Sequence, residues 1–252
     1  MNQKIGLVTG GSRGLGKNAA LSMAAKGIDV IITYHTQKEA ADSVVAEIAA
    51  MGRKAIAMHL DSGNVSTFGT FANQIKETLK LQWQRETFDY LINNAGHGDY
   101  ALIEQTTEAQ FDGLINVHFK GVYFLTQSLL NTISDGGRIV NFSSGLTRMS
   151  FSGYAAYAAA KGAVEVLSVY MAKELGNRGI AVNTVAPGAI ETDFGGGAVR
   201  DNPDINKVFA EMTALGRVGV PDDIGPMIAS LLSEDNRWVN AQRIEVSGGQ
   251  AI

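Results

Sequence analysis

The sequence predicts an α/β fold: one domain, residues 1–252, built as a doubly wound parallel sheet of seven strands with helices on both faces. Three observations predict it. Short runs rich in Val and Ile alternate with longer helical patterns, a glycine-rich turn follows the first run and opens directly into a helix, and no linker divides the chain. Apolar runs of this length suit strands buried on both faces, and parallel neighbours need crossover connections that are usually helices.

In order, "KIGLVTG", "DVIITY" and "KAIAMHLD" read as the first three strands, and "GLGKNAALSMAAKG" and "KEAADSVVAEIAAMG" as the helices between them. "DYLINNAG" is the fourth strand, residues 109–134 a helix, and "GRIVNFSS" the fifth strand. A helix over 153–176, the strand "IAVNTVAPG", a helix over 222–232 and a last strand at "QRIEV" complete the pattern. Ligands of such sheets sit beyond the carboxyl ends of the strands, where strand order reverses.

Composition narrows the function classes. A net charge of −4 with no Lys/Arg-rich block gives no footprint for nucleic acid or an anionic membrane surface. The absence of cysteine excludes disulfides and thiolate metal sites, and no metal centre is expected. The start, "MNQKIGLVTG", enters a strand without a signal-like apolar region, and no apolar run has membrane-spanning length, so a cytoplasmic protein is expected.

The loop "TGGSRGLG" supplies Gly10, Ser12, Arg13, Gly14, Leu15 and Gly16 at the mouth of the first helix. Glycines here permit a tight turn and close backbone approach to a pyrophosphate, and the helix N-terminus offers unpaired N–H groups with a positive dipole end. This is the pattern of a Rossmann-type dinucleotide site, although the spacing G-x-x-x-G-x-G departs from the usual G-x-G-x-x-G. The second strand ends in Tyr34, His35 and Thr36, with no carboxylate to repel a 2′-phosphate, and Arg13 adds a cation. NADP(H) is therefore expected in preference to NAD(H), with NAD(H) possible. Asp61, at the end of the third strand, can accept from the adenine amino group; Asn93, Ala95 and Gly96, at the end of the fourth, are expected to border the cofactor.

In "YAAYAAAKGAVEV" Tyr157 and Lys161 stand four apart on one helix face. A free tyrosine titrates near pH 10, but an ammonium about 4 Å away contributes roughly 4 kcal/mol at an effective dielectric near 20, enough for up to about three pKa units before desolvation opposes it. Tyr157 can then act as a general acid or base. Ser144, thirteen residues before Tyr157, can donate to the same carbonyl oxygen, and Ser143 on the opposite strand face is the lesser candidate. Asn116 is a polar residue inside an apolar helix.

Taken together, "TGGSRGLG", "NNAG", "INVHFKG", the serine pair, "YAAAK" and "NTVAPGAIETD" resemble the short-chain dehydrogenase/reductase family, from Lys4 through the terminal "RIEVSGG". The glycine spacing is that family's own variant. The resemblance implies a catalytic set of Asn116, Ser144, Tyr157 and Lys161. Lys161 would contact the nicotinamide ribose, and Asn116 would hold a relay water behind it. It further implies that Pro187, Gly188, Ile190 and Thr192 border the nicotinamide, and that the chain forms a homotetramer through helices 109–134 and 153–176. The expected function is hydride transfer between NADP(H) and a small-molecule carbonyl or alcohol.

Residues 190–215, with three consecutive glycines, read as a mobile substrate lid. His97, Leu146, Arg148 and Met149 are expected to face the acceptor, but they single out neither a sugar, a steroid-like ketone nor an acyl thioester. Two rival readings are an NADP(H)-sensing regulatory protein and a methyltransferase on a related sheet. The intact catalytic set counts against the first, and the second leaves Tyr157 and Lys161 unexplained.

Overall fold

The computed structural model describes residues 3–252. Its strands are β1 (Ile5–Val8), β2 (Asp29–Tyr34), β3 (Ala55–His59), β4 (Phe88–Asn93), β5 (Ile133–Phe142), β6 (Ala181–Pro187) and β7 (Arg243–Val246). They form one sheet in the order β3-β2-β1-β4-β5-β6-β7, and every pair is parallel. The order reverses between β1 and β4, which opens a crevice at their carboxyl ends.

Strand alternation divides the core between two faces. Val8, Val30 and Ile32 pack with Ala20 and Met23 of α1 (Gly14–Ala25), Val44 and Ile48 of α2 (Lys38–Ala50) and, farther along the chain, Ile228. Leu7, Ile31 and Leu91 face the other way, onto Phe71, Ile75 and Leu79 of α3 (Phe68–Trp83).

The helix expected over 109–134 is broken. It runs as α4 (Glu108–Ile115), a π-helical turn over Asn116–Lys120 and α5 (Gly121–Leu129), and β5 already begins at Ile133. Gly121 lets this turn pass close to the chain, since a Cβ there would lie 2.1 Å from the Ser62 carbonyl oxygen. Helix α6 (Ala155–Leu175) carries Tyr157 and Lys161. The segment beyond β6 is largely helical, with α7 (Ala198–Asp201) and α8 (Pro203–Glu211), and α9 (Gly225–Leu231) starts three residues later than its pattern suggests because Pro221–Asp223 forms a separate turn. Among the described residues, no helix is long and apolar enough to cross a membrane.

Candidate active site

A cavity of about 680 Å³ occupies the crevice. Its nucleotide end is made mostly of backbone. Gly10 and Gly14 have φ of 64° and 55°, values that favour glycine, and a Cβ on Gly16 would lie 2.3 Å from the Gly10 carbonyl oxygen. Gly16 therefore packs the loop from behind, while Gly10, Ser12, Arg13, Gly14 and Leu15 line the cavity. Helix α1 begins with no side-chain cap on Arg13 and no acidic residue in its first turn, so its leading N–H groups and dipole are left for an anion at the cavity wall. That donor set fits a dinucleotide pyrophosphate.

The loop after β4 locks this end. Thr9 Oγ1 accepts from the Asn94 and Ala95 amides at 3.0 Å each, and Asn94 Nδ2 donates to the Thr9 and Gly10 carbonyls at 2.9 and 3.1 Å. Asn94, Ala95 and Gly96 line the cavity. Asn93 does not: it is buried within the sheet, donating to Asn141 Oδ1 at 2.8 Å and Thr126 Oγ1 at 3.1 Å. Neighbouring strand residues face opposite ways, which gives Asn94 the place expected for Asn93. Tyr34, His35, Thr36 and Asp61 also line the cavity, and His35 Nε2 stands 4.0 Å from Asp61 Oδ2. Pro187, Gly188, Ile190 and Thr192 line the opposite end.

At the reacting end Ser144, Tyr157 and Lys161 meet in the same cavity. The Ser144 hydroxyl accepts from the Leu146 amide at 3.2 Å, which leaves its proton free to donate. Ser143 is committed elsewhere, donating to Glu165 Oε1 at 2.5 Å. Glu165 lies one turn beyond Lys161; it also accepts from Thr147 Oγ1 at 2.8 Å and Arg243 Nε at 2.7 Å. Arg243 closes the brace by donating to the Ser144 carbonyl at 3.3 Å. One helix thus carries the tyrosine, the lysine and the carboxylate that holds the serine turn.

The electrostatics differ from the simple ion–phenol picture. Lys161 Nζ donates to the Phe142 carbonyl at 2.8 Å and stands 5.7 Å from the centre of the Tyr157 ring. Burial pushes the Tyr157 hydroxyl up, and only Ser144 opposes it, while burial pulls Lys161 down to about 7. Desolvation of both groups outweighs their attraction here. The phenol is consequently held protonated, the form that donates.

Asn116 is not among the cavity residues, whereas Val117 and His118 from the same turn are. Asn116 and His118 stand two residues apart on this π-helical turn and so face different sides. His118 is almost fully buried, and its ring meets Tyr157 edge-on at 5.0 Å. Sequence pattern alone missed it because a polar residue in an apolar helix drew attention to Asn116. Phe194 was also missed; it lines the cavity with its ring 5.6 Å from that of Tyr157. His97 lines the acceptor side as expected. Leu146, Arg148 and Met149 do not line this cavity: Met149 is buried, and Arg148 is held by Glu245 at 2.6 Å and by the Gln250 and Ala251 carbonyls.

Fold and site define a dinucleotide-dependent oxidoreductase. Residues 10–251 match the family described as enoyl-(acyl carrier protein) reductase. A tetrahydroxynaphthalene reductase of Pestalotiopsis fici is 34% identical over 257 aligned positions, covering 98% of this chain and 91% of that relative. The reductase LugOII, described as promiscuous and as catalysing keto-reduction at C1 in lugdunomycin biosynthesis, superposes with a TM-score of 0.94 at 36% identity, over 100% of this chain and 99% of that one. The angucycline C-6 ketoreductase LanV with bound NADP superposes with a TM-score of 0.93 at 33% identity, over 98% and 95%. The chain belongs to the short-chain dehydrogenase/reductase family.

Proposed function

We propose that this protein is an NADPH-dependent ketone reductase whose substrate is a planar aromatic ketone. The observation that carries the reading is the convergence of Ser144, Tyr157 and Lys161 on one cavity with the glycine loop and the uncapped α1 N-terminus. Gly10, Ser12, Arg13, Gly14 and Leu15 would hold the pyrophosphate; Tyr34, His35 and Thr36 the 2′-phosphate; Asp61 the adenine; and Ala95, Gly96, Pro187, Gly188, Ile190 and Thr192 the nicotinamide half. NADPH supplies the hydride when bound. The lack of a carboxylate among Tyr34, His35 and Thr36 supports NADP(H) over NAD(H), as does the NADP bound to the LanV relative.

Tyr157 donates its proton to the carbonyl oxygen, breaking the phenolic O–H bond as the alcohol O–H bond forms. The Ser144 proton stabilises the charge developing on that oxygen. The Lys161 ammonium favours the resulting phenolate and orients the nicotinamide ribose.

The Phe194 ring beside Tyr157 and the His97 imidazole flank the acceptor side, and they support a flat aromatic substrate over a sugar or an acyl thioester. The names of the tetrahydroxynaphthalene and angucycline reductases among the relatives agree with this. Residues 190–215 form the lid: Gly195, Gly196 and Gly197 all have φ between 61° and 80°, and Arg200 ties the turn down through Asp193 at 2.5 Å. Exposed Tyr123 on α5 and Val166, Val169 and Tyr170 on α6 support assembly into a homotetramer through those helices.

The test is NADPH oxidation across polycyclic aromatic ketones, aliphatic ketones, sugars and acyl thioesters, repeated with NADH. Aromatic ketones with NADPH are expected to give the highest kcat/KM. A clear preference for thioesters or sugars would overturn the substrate class, and equal use of NADH would overturn the cofactor preference.

A further inference from the structure

His118 has a seat built from two elements, α6 and the loop after β4. Its ring stands edge-on to Tyr157 of α6 at an interplanar angle of 85°. Gly96, after β4, makes room for it: a Cβ there would lie 2.4 Å from His118 Cε1. His97 fixes its tautomer: His118 Nε2 lies 2.7 Å from the His97 carbonyl oxygen and 3.3 Å from the His97 amide nitrogen, and the shorter contact decides. Two lone-pair-bearing atoms do not approach so closely without a proton between them, so Nε2 carries the hydrogen and donates. Nδ1 is then a lone-pair acceptor, buried and without a protein partner among the described residues. Burial and the nearby Lys161 charge hold the ring well below the ordinary histidine pKa, which keeps it neutral.

A buried polar atom without a partner costs about 1–3 kcal/mol. The acid/base reading of Tyr157 leaves this group without a task, yet two elements are shaped around it. We propose that His118 is a positioning residue of the proton-donating site. Its imidazole, locked as the Nε2–H tautomer, braces the Tyr157 ring and holds Nδ1 as a fixed, buried acceptor for one internal water. This rests on the reading of Tyr157 as the acid, but the tautomer and the acceptor are properties of the chain alone.

The first test therefore needs no substrate. In 15N NMR of the cofactor-free protein, with the His118 signal assigned by its loss in His118→Phe, a neutral Nε2–H imidazole is expected from pH 6 to 8. A neutral Nδ1–H tautomer or an imidazolium at pH 7 overturns the inference.

The second test is kinetic. His118→Phe keeps a ring against Tyr157 and removes both nitrogens. It is expected to bind NADPH within about threefold of wild type and to lose about tenfold or more in kcat, a general-acid-scale loss, with KM nearly constant. His118→Asn, which restores an acceptor in place of the ring, is expected to recover part of that loss. Unchanged kcat in His118→Phe, or a kcat loss matched by equal losses of NADPH affinity and thermal stability, makes His118 a packing residue and overturns the inference. If no ketone is turned over by wild type, the functional reading fails while the NMR result still decides this one.

Discussion

At the nucleotide end of the cavity, Gly10, Gly14, Ala95 and Gly188 offer main chain, and the Asn94 side chain fastens the glycine loop through the Thr9 and Gly10 carbonyls. At the reacting end, Ser144, Tyr157, Lys161 and His118 reach in as side chains from a strand end, one helix and a π turn. The first region is shaped by what is missing from the residues, the second by where helix rotation points them. Damage to the first should therefore appear in cofactor affinity, and damage to the second in turnover.

Ser144→Ala sharpens this contrast most. Removing one donor to a developing oxyanion costs about 10²–10³-fold in kcat, and NADPH affinity is expected to stay within about threefold by fluorescence titration. A loss of affinity equal to the loss of kcat would erase the distinction between the two ends. Gly16→Val is the converse. Its Cβ meets the Gly10 carbonyl at 2.3 Å, and overpacking of about 1–3 kcal/mol corresponds to about fivefold or more in NADPH Kd. Wild-type affinity in that variant would show the loop has slack.

Glu165→Ala tests whether the serine turn needs its brace. The substitution strands Ser143, Thr147 and Arg243, and kcat is expected to fall about tenfold through misplacement of Ser144. Glu165→Gln, which can still accept, should recover most of it. Unaltered kcat in Glu165→Ala would mean the turn holds itself.

The smallest effect is on stability. Lys161 titrates near 7 in the fold against 10.5 for the free side chain, so between those values the unfolded chain binds a proton that the native state does not. Its contribution to stability then rises with pH through that window, and below about 7 the full cost of burying the ammonium remains. Lys161→Met removes that cost. Its gain in Tm over wild type is expected to be largest near about pH 6 and to shrink toward about pH 10. A gap that widens as pH rises would contradict the burial account.

The same contrast explains what could be read from sequence. Strand order, the glycine loop and the Tyr157/Lys161 stripe depend on periodicity and residue type, and each is legible locally. Asn93 against Asn94 depends on one residue of strand register, which a run of two asparagines does not reveal. Asn116 against His118 depends on the rotation of a helix broken by a π turn. The attraction that would lower the Tyr157 pKa follows from the i, i+4 spacing, whereas the depth of burial that reverses it is a property of the whole fold. Phe194 reaches Tyr157 from a distant part of the chain, a contact that no local pattern reveals.

The most direct test of the account is single-turnover NADPH oxidation by Tyr157→Phe with an aromatic ketone, beside an NADPH titration of the same protein. The account predicts affinity within about threefold of wild type and hydride transfer slower by about 10²–10⁴-fold. Tight NADPH binding with undiminished turnover would contradict it.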